Sequence, residues 1–394
     1  MKYFCSFLLL FFSLAGTAQT GGILRLDRTL VSIAAADSFI KKTLAESKVK
    51  GAAIAIINGN KPVLLRAYGY RNQPAGEKLD TATIMYAASF SKAVFGYLCM
   101  MLAQDGLLNL DKPIASYLKK PIAAYEYFAD LQSDERWKKI TPRMCLSHTT
   151  GLPNVRWFSP ITGEEDTAGI MKIYFEPGSK YAYSGEGFKL LQLAIEESTG
   201  RTVDDWATEK IFKPFGMYRT GYVWHNDFGD DNVAVGHTQN GLIDKKKKRT
   251  EAAAGGSMVT TISDYARFTQ AVLQHKGLTK KWFEELTTPQ IKIQSVVQFP
   301  PITTETTTEN NSINLSYGLG WGIIYCKNGK AIFKEGNGGA WRNYTINFLE
   351  QGTAFIILSN DENGESIFQP IIDTLIGPTC IPWKWNGYVP YNKK

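Results

Sequence analysis

Strand patterns occupy both ends of this chain and helical patterns its middle, which restricts the fold to a sheet shared by the two termini. Residues 28–46 have amphipathic helical spacing, and apolar or alternating runs follow at 52–58 and 62–70, joined by the hairpin signal Asn58-Gly59-Asn60. At the far end 317–326, 331–334, 343–349 and 354–359 read as strands, with Asn328-Gly329 as a tight turn, and 367–376 reads as a closing helix. Between them, 187–198, 203–215, 262–275 and 279–286 carry helical periodicity. The expected fold class is α+β: one antiparallel sheet built from both chain ends, flanked by helices, with an inserted, mainly helical lobe. The sheet lobe is expected over about 19–88 and 315–394 and the helical lobe over about 105–314, with the cleft between them as the natural site. Residues 303–311 form the one biased stretch, expected to be an exposed loop.

The first residues have the composition of a secretory leader. Lys2 precedes an apolar core at 4–14, and the small residues Gly16-Thr17-Ala18 stand before Gln19, so 1–18 is expected to be removed and the remainder exported, to the periplasm or the medium. The apolar run is too short to span a bilayer, and no later stretch approaches the needed length. The formal charge of +7 falls to about +6 once Lys2 leaves. Its densest part, Lys245-Lys246-Lys247-Lys248-Arg249, lacks interleaved aromatics and reads as a solvated loop, so no nucleic-acid partner is expected. Beyond Cys5, the cysteines Cys99, Cys145, Cys326 and Cys380 show no C-x-x-C spacing. Cys99 reads as a small core residue; a disulfide between two of the others suits an oxidising compartment, and the spacing selects no pair. Four histidines without paired spacing argue against a metal enzyme, and no cofactor is expected.

Chemistry concentrates at Ser89-Phe90-Ser91-Lys92, at the mouth of the apolar stretch 93–102. Residues three apart on a helix are neighbours, so the Lys92 amine can reach the Ser89 hydroxyl without help from the tertiary fold. A desolvated lysine with a lowered pKa can take the serine proton in place of histidine. About one or two such spacings arise by chance in a chain of this length. Ser38/Lys41, Ser47/Lys50 and Ser116/Lys119 are of that kind, since none opens a long buried helix. After Ser89, by contrast, Val94, Leu98, Met101 and Leu102 repeat at helical spacing and are expected to bury one stripe, which puts the serine at a helix N-terminus.

Two further constellations follow in order. Tyr181-Ala182-Tyr183-Ser184-Gly185 presents a tyrosine on a short loop before a helix, where a nearby cation could lower its pKa enough to shuttle a proton. Lys334-Glu335-Gly336-Asn337-Gly338-Gly339 ends a strand with small residues, so a substrate can lie against the backbone and N–H groups can face a developing oxyanion. The rival Lys327-Asn328-Gly329 reads as the turn itself.

The ordered set resembles the serine β-lactamase-related family, specifically its class C β-lactamase, DD-peptidase and esterase branch. Supporting phrases extend over nearly the whole mature chain, among them Leu146-Ser147-His148-Thr149-Thr150-Gly151-Leu152-Pro153, Ala254-Gly255-Gly256 and Tyr317-Gly318-Leu319-Gly320-Trp321. The resemblance implies two-step acyl transfer on a small-molecule or peptide substrate, an ester, amide or β-lactam. Ser89 would be the nucleophile, with Lys92 and Tyr183 sharing its proton. The N–H groups of Ser89 and Asn337 would hold the oxyanion, with Gly336 beside them and Lys334 as the lysine of the third motif. His148, tempting beside Ser147, falls in a turn phrase and reads as structural. This chain departs from the family pattern twice. Gly185 stands where an amide is usual, and Glu335 stands where a hydroxyl is usual; as a solvated carboxylate Glu335 would repel an acidic substrate group by about 1 kcal/mol. Both weaken the case for an efficient β-lactamase. The alternative is a penicillin-binding or sensor protein of the same fold that does not turn over.

Overall fold

The computed structural model describes residues 21–245 and 247–393; the expected leader at 1–18, and Lys246 of the lysine run, lie outside the described residues. The sheet strands are β1 (Gly51–Asn58), β2 (Lys61–Asn72), β3 (Glu77–Lys78), β4 (Ile291–Lys292), β5 (Ser316–Tyr317), β6 (Gly322–Cys326), β7 (Gly329–Gly338), β8 (Trp341–Phe348) and β9 (Thr353–Ser359). Among the described residues they form a 9-stranded sheet in the order β4-β5-β6-β7-β8-β9-β1-β2-β3, and each neighbouring pair is antiparallel. The two chain ends meet where β9 pairs with β1, from Ala354↔Ile57 to Ser359↔Ala52. The expected antiparallel sheet of both termini, with a helix-rich insertion, is therefore the observed α+β fold.

The helices that matter here are α1 (Ile33–Ser47), α2 (Phe90–Gln104), α3 (Gly185–Thr199), α4 (Ile262–Leu273) and α5 (Phe368–Leu375). Both faces of the sheet are covered. Along β1, Ala53, Ala55 and Ile57 join the core of α2 and α4. Ala52, Ile54 and Ile56 join that of α1 and α5. Two covered faces explain why this strand reads as a continuous apolar run and not an alternating one. α1 starts later than its periodicity suggested, because Ser32 caps it by accepting from the Ala35 N–H at 3.1 Å. The preceding residues Leu30–Ser32 pair with Gly22–Leu24 as a small separate sheet.

The remaining departures have local causes. The stretch 317–326 is a hairpin, not one strand, because Gly320 adopts a φ of 92° between β5 and β6. The strand expected at 331–334 runs on through Gly338. α2 is buried at every residue from Phe90 to Ala103, not along a single stripe, because both lobes pack around it. Cys326, at the end of β6, is bridged to Cys380, and Cys99 and Cys145 are buried free thiols. In the lysine run, Lys247 is bonded to Asp244 and Lys248 pairs with Asp230. No helix among the described residues is long and apolar enough to cross a membrane.

The β5–β6 turn nests directly on α2. A Cβ at Gly96 would lie 2.5 Å from the Leu319 carbonyl oxygen and 3.2 Å from the Gly320 Cα. Gly96→Ala should therefore push the helix off the turn and cost about 1–3 kcal/mol, read as a lower urea midpoint at unchanged slope. An unchanged midpoint would show that the turn can yield freely.

Candidate active site

Ser89 sits immediately before α2, and its position is over-determined. Ala88 holds a φ of 46°, a left-handed conformation that costs a non-glycine residue about 1–3 kcal/mol and persists only where neighbours enforce it. They do so here through Ser91. Its Oγ donates to the Ala88 carbonyl at 2.6 Å and accepts from the Met258 N–H at 3.1 Å, while the Ala87 N–H donates to the Met258 carbonyl at 2.9 Å. The Tyr222 hydroxyl donates to the Ser91 carbonyl at 2.7 Å. Serine at a helix start usually caps it, yet Ser89 makes no side-chain capping bond. Its Oγ lies instead 3.2 Å from Lys92 Nζ.

Lys92 Nζ also donates to the Gly255 carbonyl at 2.6 Å. Its side chain is buried, and burial pushes the amine below the usual lysine range; the Lys334 charge pushes the same way, against Tyr183 and Glu335. Tyr183 is 2% exposed. Its ring centroid lies 4.9 Å from Lys92 Nζ and 5.0 Å from Lys334 Nζ, and its hydroxyl is within hydrogen-bonding reach of Ser89. Burial alone would raise the phenol's pKa, but the Lys334 and Lys92 charges outweigh it and hold Tyr183 below the ordinary phenol range. Lys334 moves the opposite way from Lys92: burial opposes its charge, yet Glu335 and Tyr183 keep its pKa above the usual lysine value. Two buried lysines are thus separated into a poised amine and a fixed cation.

His148 forms the wall behind the tyrosine. Its Nδ1 accepts from the Ser184 N–H at 3.0 Å, its carbonyl accepts from the Ala182 N–H at 2.9 Å, and its ring lies 4.2 Å from that of Tyr183. Burial, reinforced by Lys92 and Lys334, holds its pKa well below the usual imidazole value, so it is neutral and shapes the loop.

The third segment supplies an open strand edge. β6 pairs with β7 only as far as Gly322↔Phe333, so 334–338 extends beyond it and faces the start of α2. A Cβ on Gly336 would lie 2.7 Å from the Ala87 carbonyl oxygen, and one on Gly338 would lie 3.0 Å from the Tyr86 ring. At Gly336, which meets backbone, only glycine permits that approach. Asn337 donates through Nδ2 to the Tyr388 hydroxyl at 3.0 Å. Glu335 does not sit in solvent, so the repulsion expected of a solvated carboxylate does not apply here. It is 5% exposed, 3.5 Å from Lys334 Nζ, and accepts from the Gln298 side chain. The carboxylate is committed to the lysine beside it, because an unpaired buried ammonium would be costly. Gly185 also has a steric reason: a Cβ there would meet the Asn154 carbonyl oxygen at 2.5 Å, so the crossing loop excludes a side chain.

Ser89, Lys92, Tyr183, Gly185, Lys334, Glu335, Gly336 and Asn337 therefore converge from three separate segments. Sequence reasoning missed Gly255, Asn154 and Gln298. Gly255 had a signal in Ala254-Gly255-Gly256, since a Cβ there would lie 3.4 Å from Lys92 Nζ; the other two act through tertiary contact alone. The arrangement can take a proton from a serine hydroxyl and return it without histidine. Among the described residues, no group of three or more His, Cys, Asp or Glu side chains is placed to hold a metal ion.

Known proteins share this fold. The family described as Beta-lactamase matches residues 36–372. Protein flp of Staphylococcus aureus (strain MRSA252) is 24% identical over 341 residues, 82% of this chain; the alignment spans 62% of flp's own length. Penicillin-binding protein 4* of Bacillus subtilis (strain 168) is 23% identical over 359 residues, covering 84% of this chain and 72% of that protein. Among solved structures, the octameric penicillin-binding protein homologue from Pyrococcus abyssi superimposes with a TM-score of 0.69 at 21% identity, covering 90% of this chain and 79% of that one. The crystal structure of SurE gives 0.67 at 19% identity, covering 89% and 78%. The chain belongs to the β-lactamase family, a family of penicillin-binding-protein-like serine hydrolases.

Proposed function

We propose that this protein is an exported serine hydrolase that forms an acyl-enzyme on Ser89 with an ester, amide or β-lactam. One observation carries the reading: a buried phenol lies 4.9 and 5.0 Å from the Nζ atoms of two lysines and within reach of the serine. Ser89 Oγ attacks the substrate carbonyl as its proton passes to Lys92 or Tyr183. The bond to the leaving group breaks, and Tyr183 delivers the proton to that group. The acyl group stays on Ser89 until a water, deprotonated by Tyr183, attacks the same carbonyl and returns Ser89 to its hydroxyl form. The Ser89 and Asn337 N–H groups hold the oxyanion in both steps, and Gly336 keeps the strand edge close enough. Lys334, paired with Glu335, holds the phenol acidic. The Cys326–Cys380 bridge and the leader-like residues 1–18 support an oxidising, extracytoplasmic location.

A penicillin-binding sensor is the second reading, favoured by the crowding that leaves no side chain at Gly185. Intact mass spectrometry over time, after mixing with p-nitrophenyl acetate and with benzylpenicillin, separates the two. The hydrolase reading expects a transient adduct with released product in the wild type and none in Ser89→Ala. A lasting adduct would favour the sensor, and no adduct with either reagent would contradict both.

The charges around Tyr183 also set the pH dependence. The acid limb of kcat/KM follows loss of protons from Lys92 and Tyr183, so activity rises with pH through their pKa values. The Lys334 charge lowers both, hence Lys334→Met should move the limb to higher pH. Glu335 raises both, so Glu335→Gln should move it to lower pH. Tyr183→Phe should cost roughly 10²–10⁴-fold in kcat. Shifts of the same sign in the two charge variants would contradict this account.

A further inference from the structure

We propose that Asn154 and the apolar hollow behind it form a substrate subsite that receives an uncharged, apolar substituent. The inference rests on the acyl-Ser89 reading and adds a substrate class to it.

The hollow has a volume of about 350 Å³ and is lined by Asn154, Val155, Phe158 and Pro160 from one segment of the chain and by Phe299 and Pro301 from another. That volume lies near the lower bound for ligand pockets, enough for one substituent. No charged side chain lines it, in contrast to the hollow bordered by Lys189, Lys248 and Arg249. Two of its lining residues, Phe158 and Phe299, are 49% and 47% exposed. Large apolar side chains gathered around one concavity mark a binding surface more often than scattered exposure does.

The hollow adjoins the candidate chemistry at two points. The Phe299 ring lies 5.3 Å from the Tyr183 ring. Asn154 crosses Gly185 so closely that its Oδ1 would lie 3.1 Å from a Cβ there. The Asn154 amide thus stands beside the position where the resemblance led us to expect one, supplied by a different loop. That loop is held rigidly on both sides. The Ser184 hydroxyl donates to the Pro153 carbonyl at 3.0 Å, and the Arg156 N–H donates to buried Glu186 at 3.0 Å. The Arg156 guanidinium donates to the Tyr127 carbonyl and to Asp130, both at 2.6 Å. An anchored polar group next to an apolar hollow suits a substrate with an amide or ester group and an apolar chain beyond it.

The apolar group could belong to the acyl part or to the leaving group, and two ester series distinguish them: p-nitrophenyl acetate against hexanoate, and ethyl against benzyl acetate. The wild type should favour the larger member of one series by about tenfold in kcat/KM. Phe158→Ser and Phe299→Ser, at half-exposed lining positions from separate segments, should each reduce that ratio to roughly threefold or less. Asn154→Ala should reduce the preference for p-nitrophenyl N-acetylglycinate over the butyrate by about tenfold. If the acetate ester acylates Ser89 but neither series shows a preference, or the wall variants keep the ratio, the subsite is wrong and the acyl-enzyme stands. If no ester acylates Ser89, both fall.

Discussion

A phenol buried between two ammonium groups is the interaction on which the rest of this site depends. Burial by itself would raise the pKa of Tyr183 and lower that of each lysine, leaving every member neutral and unreactive. The charges resolve this unequally. Glu335 keeps Lys334 charged, Lys334 lowers both Tyr183 and Lys92, and Lys92, held by the Gly255 carbonyl, becomes the group that can release its proton. Glu335 is in this sense part of the electrostatic balance and not an obstacle at the mouth. Removing one partner would leave another buried charge uncompensated, which is more costly than the pair's net worth.

The fold exists to hold these charges in register. Closing the sheet through β9 and β1 brings the lysine of β7, late in the chain, alongside a helix that begins at residue 90. α2 is gripped on all sides, so the strain at Ala88 is retained and Ser89 stays at the cleft. The glycines at 96 and 336 mark where backbones meet too closely for a side chain, and those contacts set the spacing between α2, the β5–β6 turn and the open edge of β7.

Much of this was legible because it is local. The hairpin at Asn58-Gly59-Asn60, the apolar run of β1 and the serine–lysine spacing all follow from period, turn chemistry and residue type, whereas the Ser32 cap that starts α1 did not stand out from the periodicity. The grouping of Ser89, Tyr183 and Lys334 came from the order of three motifs resembling a family, since spacing alone cannot bring positions so far apart together. What stayed hidden is tertiary. The pairing of Cys326 with Cys380, the crossing of Asn154 over Gly185, and the partnership of Glu335 with Gln298 each join residues that only folding makes neighbours. The turn at 318–321 was obscured for a similar reason: its apolar and aromatic residues read as a strand until α2 is placed against it.

Direct titration of tyrosine tests the central claim. With tyrosines labelled at ¹³Cζ, NMR spectra recorded across the alkaline range should contain one resonance that ionises below the ordinary phenol value, absent in Tyr183→Phe and moved upward in Lys334→Met. If the Tyr183 resonance titrates at or above the ordinary phenol value, the two lysines do not act on it as the geometry requires, and the proton path assigned to Ser89 is wrong.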